Sequence, residues 1–218
     1  MPSSRGRLTE HDLARFPGGT LFDRLGRAIC GAGCLPRKEL YEAWEVARRV
    51  RRLFRGGRII DLGAGHGLLA QIMLILDDSS PEALVVDKAL PRSSERVHEA
   101  LVRVWPRLSG RVRYVEAVLD GVEIASADVV VSSHACGALT DRVLARAAAA
   151  RARVAVLTCC HDLETCDAGT LAGWVDAPVA IDILRAVQLQ RQGYQIWTQT
   201  IPAAITPQNR LLLGAPCS

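Results

Sequence analysis

The stretch GRIIDLGAGHGLLAQ, residues 57–71, decides the fold of this chain. Ile59, Ile60 and Leu62 read as a short buried strand with Asp61 at its carboxyl end. Gly63, Gly65 and Gly67 then turn the chain into an apolar helix predicted over Leu68–Leu76. Glycine reaches positive φ and leaves no Cβ between backbone and ligand. A strand, glycine loop and helix in this order set the free N–H groups of the helix's first turn against a nucleotide-like ligand.

The spacing selects the ligand class. A dinucleotide fingerprint has G-x-G-x-x-G, its third glycine packing helix on strand. Here Leu68 holds that third position, and the glycines run G-x-G-x-G behind an acid. This pattern resembles motif I of the class I S-adenosylmethionine (SAM) methyltransferases, D/E-x-G-x-G-x-G, and the likeness covers roughly residues 37–214. The resemblance implies SAM as cofactor, with Asp61, Gly63, Ala64, Gly65 and Gly67 in its site. SAM carries an α-amino group, which gives an acid at the strand end a chemical purpose. A tight structural turn is the plainer account of the same glycines.

Downstream, strand and helix patterns alternate. Ala83–Asp87 is a second apolar strand ending in an acid 26 residues after Asp61. A ribose-binding carboxylate is expected about 20 residues on, so Asp87 takes that role, with Lys88 beside it; a strand-end cap is the alternative. A helix follows over Ser93–Val104 and a third strand over Arg111–Glu116. Asp120 falls in the loop where this fold reaches the adenine, with Val118 and Leu119 as rival contacts. Ala127–Ser132 is the fourth strand, and Ser132 at its end completes the expected cofactor set.

Ligands of a doubly wound sheet sit outside the carboxyl ends of the strands at the topological switch. The loop after the fourth strand, SHACGALTD (133–141), and the loop after a fifth strand at Val154–Leu157, TCCHD (158–162), therefore flank the acceptor position. Their pattern, H-x-C-G-x-x-T-D followed by C-C-H, resembles the tRNA acceptor-stem ribose 2′-O-methyltransferases and related methyltransferase-domain proteins. The matching residues are His134, Cys136, Gly137, Thr140, Asp141, Cys159, Cys160 and His161. The chain departs from those enzymes in two ways: residues 1–36 carry no Cys/His finger, and Asp162 stands where they have a second histidine. Histidine titrates near neutral pH and suits a general base. His134 is the first candidate for that role and His161, supported by Asp162, the second; an imidazole that only bonds a carbonyl is the alternative for His134. Cys136 is a candidate substrate contact.

An amphipathic helix is predicted over Lys38–Phe54, with Leu40, Trp44, Ala47, Val50 and Phe54 on one face. Its other face carries Arg48, Arg49, Arg51, Arg52 and Arg55, with Arg58 close behind. Such a cluster can track a phosphate backbone, which makes RNA the expected partner and Arg48 and Arg52 candidate substrate contacts. A solvated face, partly neutralised by Glu39, Glu42 and Glu45, is the alternative. Residues 1–36 read as a helical extension before a methyltransferase domain over 37–218.

At the other end, a helix over Ile181–Gln190 leads to strands at Tyr194–Ile201 and Asn209–Gly214, an antiparallel hairpin. Asn209 borders the acceptor position or caps the turn. The predicted fold is thus α/β and Rossmann-like: a seven-stranded, mostly parallel sheet with a C-terminal antiparallel hairpin and an N-terminal helical extension. Seven cysteines lack the paired spacing of a zinc site, so they read as compact apolar side chains and no metal is expected. No run approaches the ~18 apolar residues of a membrane span. The odd cysteine count without a secretory leader points to the cytoplasm. With 27 Lys+Arg against 23 Asp+Glu the chain is mildly basic, which leaves the acceptor open: RNA first, then a protein side chain or small molecule. A non-catalytic SAM-binding module is the rival outside the enzyme class.

Overall fold

The computed structural model describes residues 6–158 and 160–217. Seven strands form one sheet: β1 (Ile59–Leu62), β2 (Ala83–Asp87), β3 (Val112–Glu116), β4 (Val129–Ser132), β5 (Arg153–Leu157), β6 (Tyr194–Thr200) and β7 (Arg210–Pro216). Their order is β3-β2-β1-β4-β5-β7-β6. The first five run parallel, and β7 inserts antiparallel between β5 and β6. The switch in strand order falls between β1 and β4, where their carboxyl ends leave a crevice for ligand.

The central strands are continuous apolar runs because helices cover both faces. Side chains alternate between two cores. Ile59, Val85, Val129 and Ala155 face one cluster, which also holds residues of α1 (Leu21–Ala32), α2 (Arg37–Leu53), α3 (Leu68–Leu76) and α4 (Ser94–Val104). Ile60, Leu84, Val130 and Val154 face the other, with α5 (Ala138–Ala149) and α6 (Ala177–Arg191). Helix α3 is apolar on every side but for Gln71, whose amide donates to the Tyr114 hydroxyl, as suits a helix buried from both sides.

The N-terminal residues share the first core rather than building their own. Leu8, Phe16, Leu25 and Ile29 are buried in the same cluster as Leu40 and Val50 of α2. Phe16 lies so close on Gly26 that a Cβ there would sit 2.3 Å from its ring. Arg27 fixes the turn by donating to the carbonyls of Phe16 at 2.6 Å and Gly18 at 2.7 Å. The joint at residues 36–37 therefore separates elements, not cores.

β1, α3 and β2 begin and end where the sequence predicts them, and the other predicted elements differ by a few residues at their ends. α6 begins four residues earlier than the apolar spacing suggests. Pro178 in its first turn explains the difference: proline fits there, where an N–H has no helical partner.

Candidate functional site

The glycine loop lies across the end of β2. Gly63 and Ala64 donate to the Val86 carbonyl at 2.9 and 3.1 Å, and Gly65 donates to Asp87 Oδ2 at 2.9 Å. Asp87 Oδ1 accepts from Ala89, while the neighbouring Lys88 is exposed. Gly63, Gly65 and Gly67 all take positive φ. They differ in surroundings. A Cβ on Gly67 would meet both methyls of Val85 at 2.7 Å, whereas one on Gly65 would meet nothing within 4 Å. Gly67 seats α3 on the sheet, and Gly65 keeps open the space beside Asp87.

Asp61 shares a sheet face with Ile59 and points at α3, where Oδ2 accepts from Ala70 N at 3.2 Å. It is 1% exposed, and Oδ1 has no hydrogen-bond partner among the described residues. Burial pushes its carboxyl up to about 7, opposed by the Ala70 bond and reinforced by the charge of Asp87. A buried carboxylate with an unanswered oxygen is costly unless something polar completes it. SAM is the donor of the class I methyltransferases, and these residues fit it: Asp61 offers an oxygen to an ammonium group, Asp87 a carboxylate to ribose hydroxyls, and Gly65 the open space.

His66, inside the glycine loop, was missed by the motif reading. Its Nδ1 lies 3.3 Å from Glu39 Oε1 and its Nε2 2.9 Å from Ser93 Oγ, tying the loop to the starts of α2 and α4. The signal was present, since Glu39 opens the helix before the strand, but linear spacing cannot show that α2 crosses the loop. Two expected cofactor contacts are otherwise engaged. Ser132 donates to the Leu62 carbonyl at 2.6 Å and accepts from Ala135 N, fastening β4 to β1. Asp120 is exposed and pairs with Arg142 at 2.5 Å, while Val118 next to it is 62% exposed. Val118 is thus the freer of the two to meet an adenine ring.

On the acceptor side, Gly137 N donates to Cys160 O at 3.1 Å, so the loops after β4 and β5 pack directly on one another. His134 is half-buried, and its imidazole has no hydrogen-bond partner among the described residues; the carbonyl bond weighed as an alternative is absent. His161 is different. Its side chain is 2% exposed, and Nε2 lies 2.8 Å from Asp182 Oδ1. The partner expected for it, Asp162, is exposed and instead accepts from Thr165 Oγ1 and Glu164 N, which holds its carboxyl below the usual range. Asp162 therefore caps its own turn, and His161 with Asp182 belongs to a buried polar cluster.

That cluster is centred on α6. Asp182 also accepts from Thr158 Oγ1 at 3.0 Å and Arg210 Nε at 2.6 Å. Arg185, 3% exposed, donates to both oxygens of Asp141 at 2.7 and 2.8 Å and to Gly137 O at 3.0 Å. It ties α5, α6 and the loop after β4 together. Asn209 donates to Ile201 O at 2.7 Å, the turn-closing role. Cys136 and Cys160 are exposed, Cys30, Cys34 and Cys166 are buried, and Cys159 lies outside the described residues. Exposure of the first two corrects the reading of all the thiols as core residues. Among the described residues no group of three or more His, Cys, Asp or Glu is placed to hold a metal ion. Nor is any helix among them long and apolar enough to cross a membrane.

The arginine face of α2 does not approach this site. Arg48 and Arg49 pair with Glu45. Arg51 is buried, donating to Met73 O, Phe54 O and Ser80 Oγ beside Asp77. Arg58 pairs with Asp128 at 2.8 Å at the amino end of β1. Arg52 is exposed, but it is thirteen residues beyond Glu39, about 20 Å along the helix at 1.5 Å per residue. Arg48 and Arg52 are thus carried toward the wrong end of the sheet to meet an acceptor. The other end of α2 reaches the glycine loop through Glu39 and His66, and there Arg37, Lys38 and Tyr41 line a cavity of about 230 Å³ with Ala204 and Ile205 of the β6–β7 connection.

Comparison with known proteins agrees with this fold. Among solved structures, an O-methyltransferase family protein from Burkholderia thailandensis matches with a TM-score of 0.56 at 18% identity, covering 100% of this chain and 66% of that one. The mitomycin 7-O-methyltransferase MmcR matches at 0.54 and 18%, covering 98% and 65%. TrmK of M. capricolum, solved with S-adenosylhomocysteine, matches at 0.51 and 13%, covering 78% and 66%. These likenesses are of fold, and the chain spans about two-thirds of each neighbour. A search of curated proteins found no match. The model of a methyltransferase domain matches residues 38–165, more than half of the sequence and the whole span from α2 to the loop after β5. The chain belongs to this methyltransferase-domain family, on the Rossmann-like fold of the class I enzymes.

Proposed function

We propose that the chain is a SAM-dependent methyltransferase whose acceptor is RNA, at a ribose 2′-hydroxyl of the kind methylated in tRNA. The observation that carries the donor half is the unpartnered, buried Oδ1 of Asp61 beside the open Gly65. The RNA half rests on the resemblance of the loops after β4 and β5, together with Arg37, Lys38 and Tyr41, which line a cavity at the end of α2 whose Glu39 meets His66 of the glycine loop. Arginine and lysine suit phosphates, and an aromatic ring suits an unstacked base.

SAM supplies a methyl carbon on a positively charged sulfur. Asp61 and Asp87 hold the donor's two polar ends, and Gly65 leaves room between them. His134, with an uncommitted imidazole, orients the acceptor hydroxyl and takes its proton as the oxygen–carbon bond forms and the carbon–sulfur bond breaks. His161 stays behind the wall, where Asp182 and Arg185 fix the loops that shape it. A cytoplasmic, reducing setting fits an RNA enzyme with exposed thiols at Cys136 and Cys160.

The test is incubation with radiolabelled SAM and, separately, total RNA, protein extract and a small-molecule fraction. Label in RNA that alkaline hydrolysis cannot cleave next to the modified nucleotide supports the reading. Label only in protein or small molecules overturns the acceptor while leaving the donor site intact.

A further inference from the structure

Behind α6 lies a cavity of about 540 Å³, none of whose lining residues belongs to the glycine loop. Ile183 and Ala186 of α6 form one wall, and Leu212 of β7 with Thr198 of β6 forms the other. Asp182 and Arg210 close its polar end. Both volume and lining match small-molecule sites, which enclose roughly 300–1,000 Å³ and pair an apolar body with a few converging polar groups. Ile183 leaves 40% of its surface exposed at this wall, a large apolar side chain without cover.

The polar end specifies the ligand. Asp182 Oδ1 already accepts from His161 and Arg185, and Oδ2 from Thr158 and Arg210. Each oxygen has two lone pairs, so the carboxylate has nothing left for a cationic or hydroxyl donor. Arg210 commits only Nε to Asp182; its terminal nitrogens have no partner among the described residues. At this end Arg210 therefore supplies an uncommitted positively charged donor, while Thr158, Gln199 and Thr200 add neutral hydroxyl and amide groups to the lining. We propose that this cavity binds a small amphiphile, an apolar ring or chain ending in an anionic oxygen group held by Arg210, at a site separate from the donor's. This inference is independent of the methyl-transfer reading.

The probe is 8-anilinonaphthalene-1-sulfonate, an apolar ring system with an anionic end, titrated by fluorescence into the folded full chain. One site per chain is expected, with displacement by decanoate and none by decyltrimethylammonium at the same concentration. Ile183→Asp and Arg210→Gln should each weaken the probe at least tenfold while S-adenosylhomocysteine affinity holds; the melting temperature should hold in Ile183→Asp and fall in Arg210→Gln, which loses its bond to Asp182. Should Arg210→Gln fail to fold, Ile183→Asp alone decides, because Ile183 sits at the surface. Unchanged probe affinity in Ile183→Asp, or equal displacement by the cationic amphiphile, overturns the proposal. So does a dimer in sedimentation that Ile183→Asp dissolves, which would mean that a second copy covers the cavity.

Discussion

The carboxylate of Asp87 accepts the backbone N–H of Gly65 at 2.9 Å, so the end of β2 holds the centre of the glycine loop. One acid thereby shapes the loop, and in the proposed function it also takes the donor's ribose. Asp87→Ala removes both, and a hydrogen bond to a charged group contributes about 1.5–3 kcal/mol. SAM affinity should fall ten- to a hundredfold by calorimetry. An unaltered dissociation constant removes Asp87 from the site.

The second and third glycines of the motif should fail differently. Gly67→Ala drives a Cβ to 2.7 Å from Val85 at a φ of 71°, costing roughly 2–4 kcal/mol in strain and overpacking. Its melting temperature should drop. At Gly65 an added Cβ meets nothing within 4 Å, so Gly65→Val carries chiefly the backbone cost of a positive φ, roughly 1–2 kcal/mol. It should stay folded and lose the donor. Equal melting temperatures for the two variants would contradict the assignment of Gly67 to packing and Gly65 to ligand.

Asp61 makes stability depend on pH. Its folded carboxyl titrates at about 7, against 3.8 when unfolded, so the native state holds the proton more tightly. Asp61's own contribution to the stability of the empty protein is greatest below about pH 4, falls as pH rises to 7 and is level above. Asp61→Asn abolishes that fall, and its gain over wild type in urea unfolding should be larger at pH 8 than at pH 5. Donor affinity should move the other way in wild type, rising with pH through the same window, because an ammonium group prefers the ionised acid. A flat profile in both measurements removes Asp61 from this role.

Among the arginines of α2, Arg51 and Arg52 should separate cleanly. Arg51→Met leaves the buried Asp77 short of its cation and should cost about 3 kcal/mol or more in denaturant unfolding. Arg52→Ala is a surface change within about 0.5 kcal/mol, and it should leave RNA affinity intact. Arg37→Glu with Lys38→Glu should weaken RNA binding at low salt and flatten its salt dependence. Loss of RNA binding in Arg52→Ala alone would restore the outer arginine face as the contact.

His134 and His161 provide the catalytic contrast. His134→Ala should spare donor binding and lower turnover by about a hundredfold or more, the usual contribution of a general base. His161→Ala should lower the melting temperature, because it opens the Asp182 cluster. Full turnover in His134→Ala ends its candidacy.

The strands and the glycine loop were legible because their signals are local. Asp61, three glycines and Asp87 follow one another along β1 and β2, and the apolar runs of β1, β2, β4 and β5 announce burial on both faces. Helix ends were less so: α6 starts at Ala177 because Pro178 fits its first turn, which apolar spacing cannot register. The acceptor side was the least legible. Asp182 meets His161 from twenty-one residues away, and Arg185 reaches Asp141 across forty-four. Such pairings are set by how α6 returns over the sheet. The arginine run of α2 misled for a related reason: composition shows the charges, but only the direction of the helix shows which end of the sheet they reach.

The most direct test is a crystal structure of the chain with S-adenosylhomocysteine. The account predicts the ribose hydroxyls on Asp87, the amino group beside Asp61 Oδ1 and the ligand lying over Gly65. Protein atoms filling that space, or the ligand seated elsewhere, would contradict it.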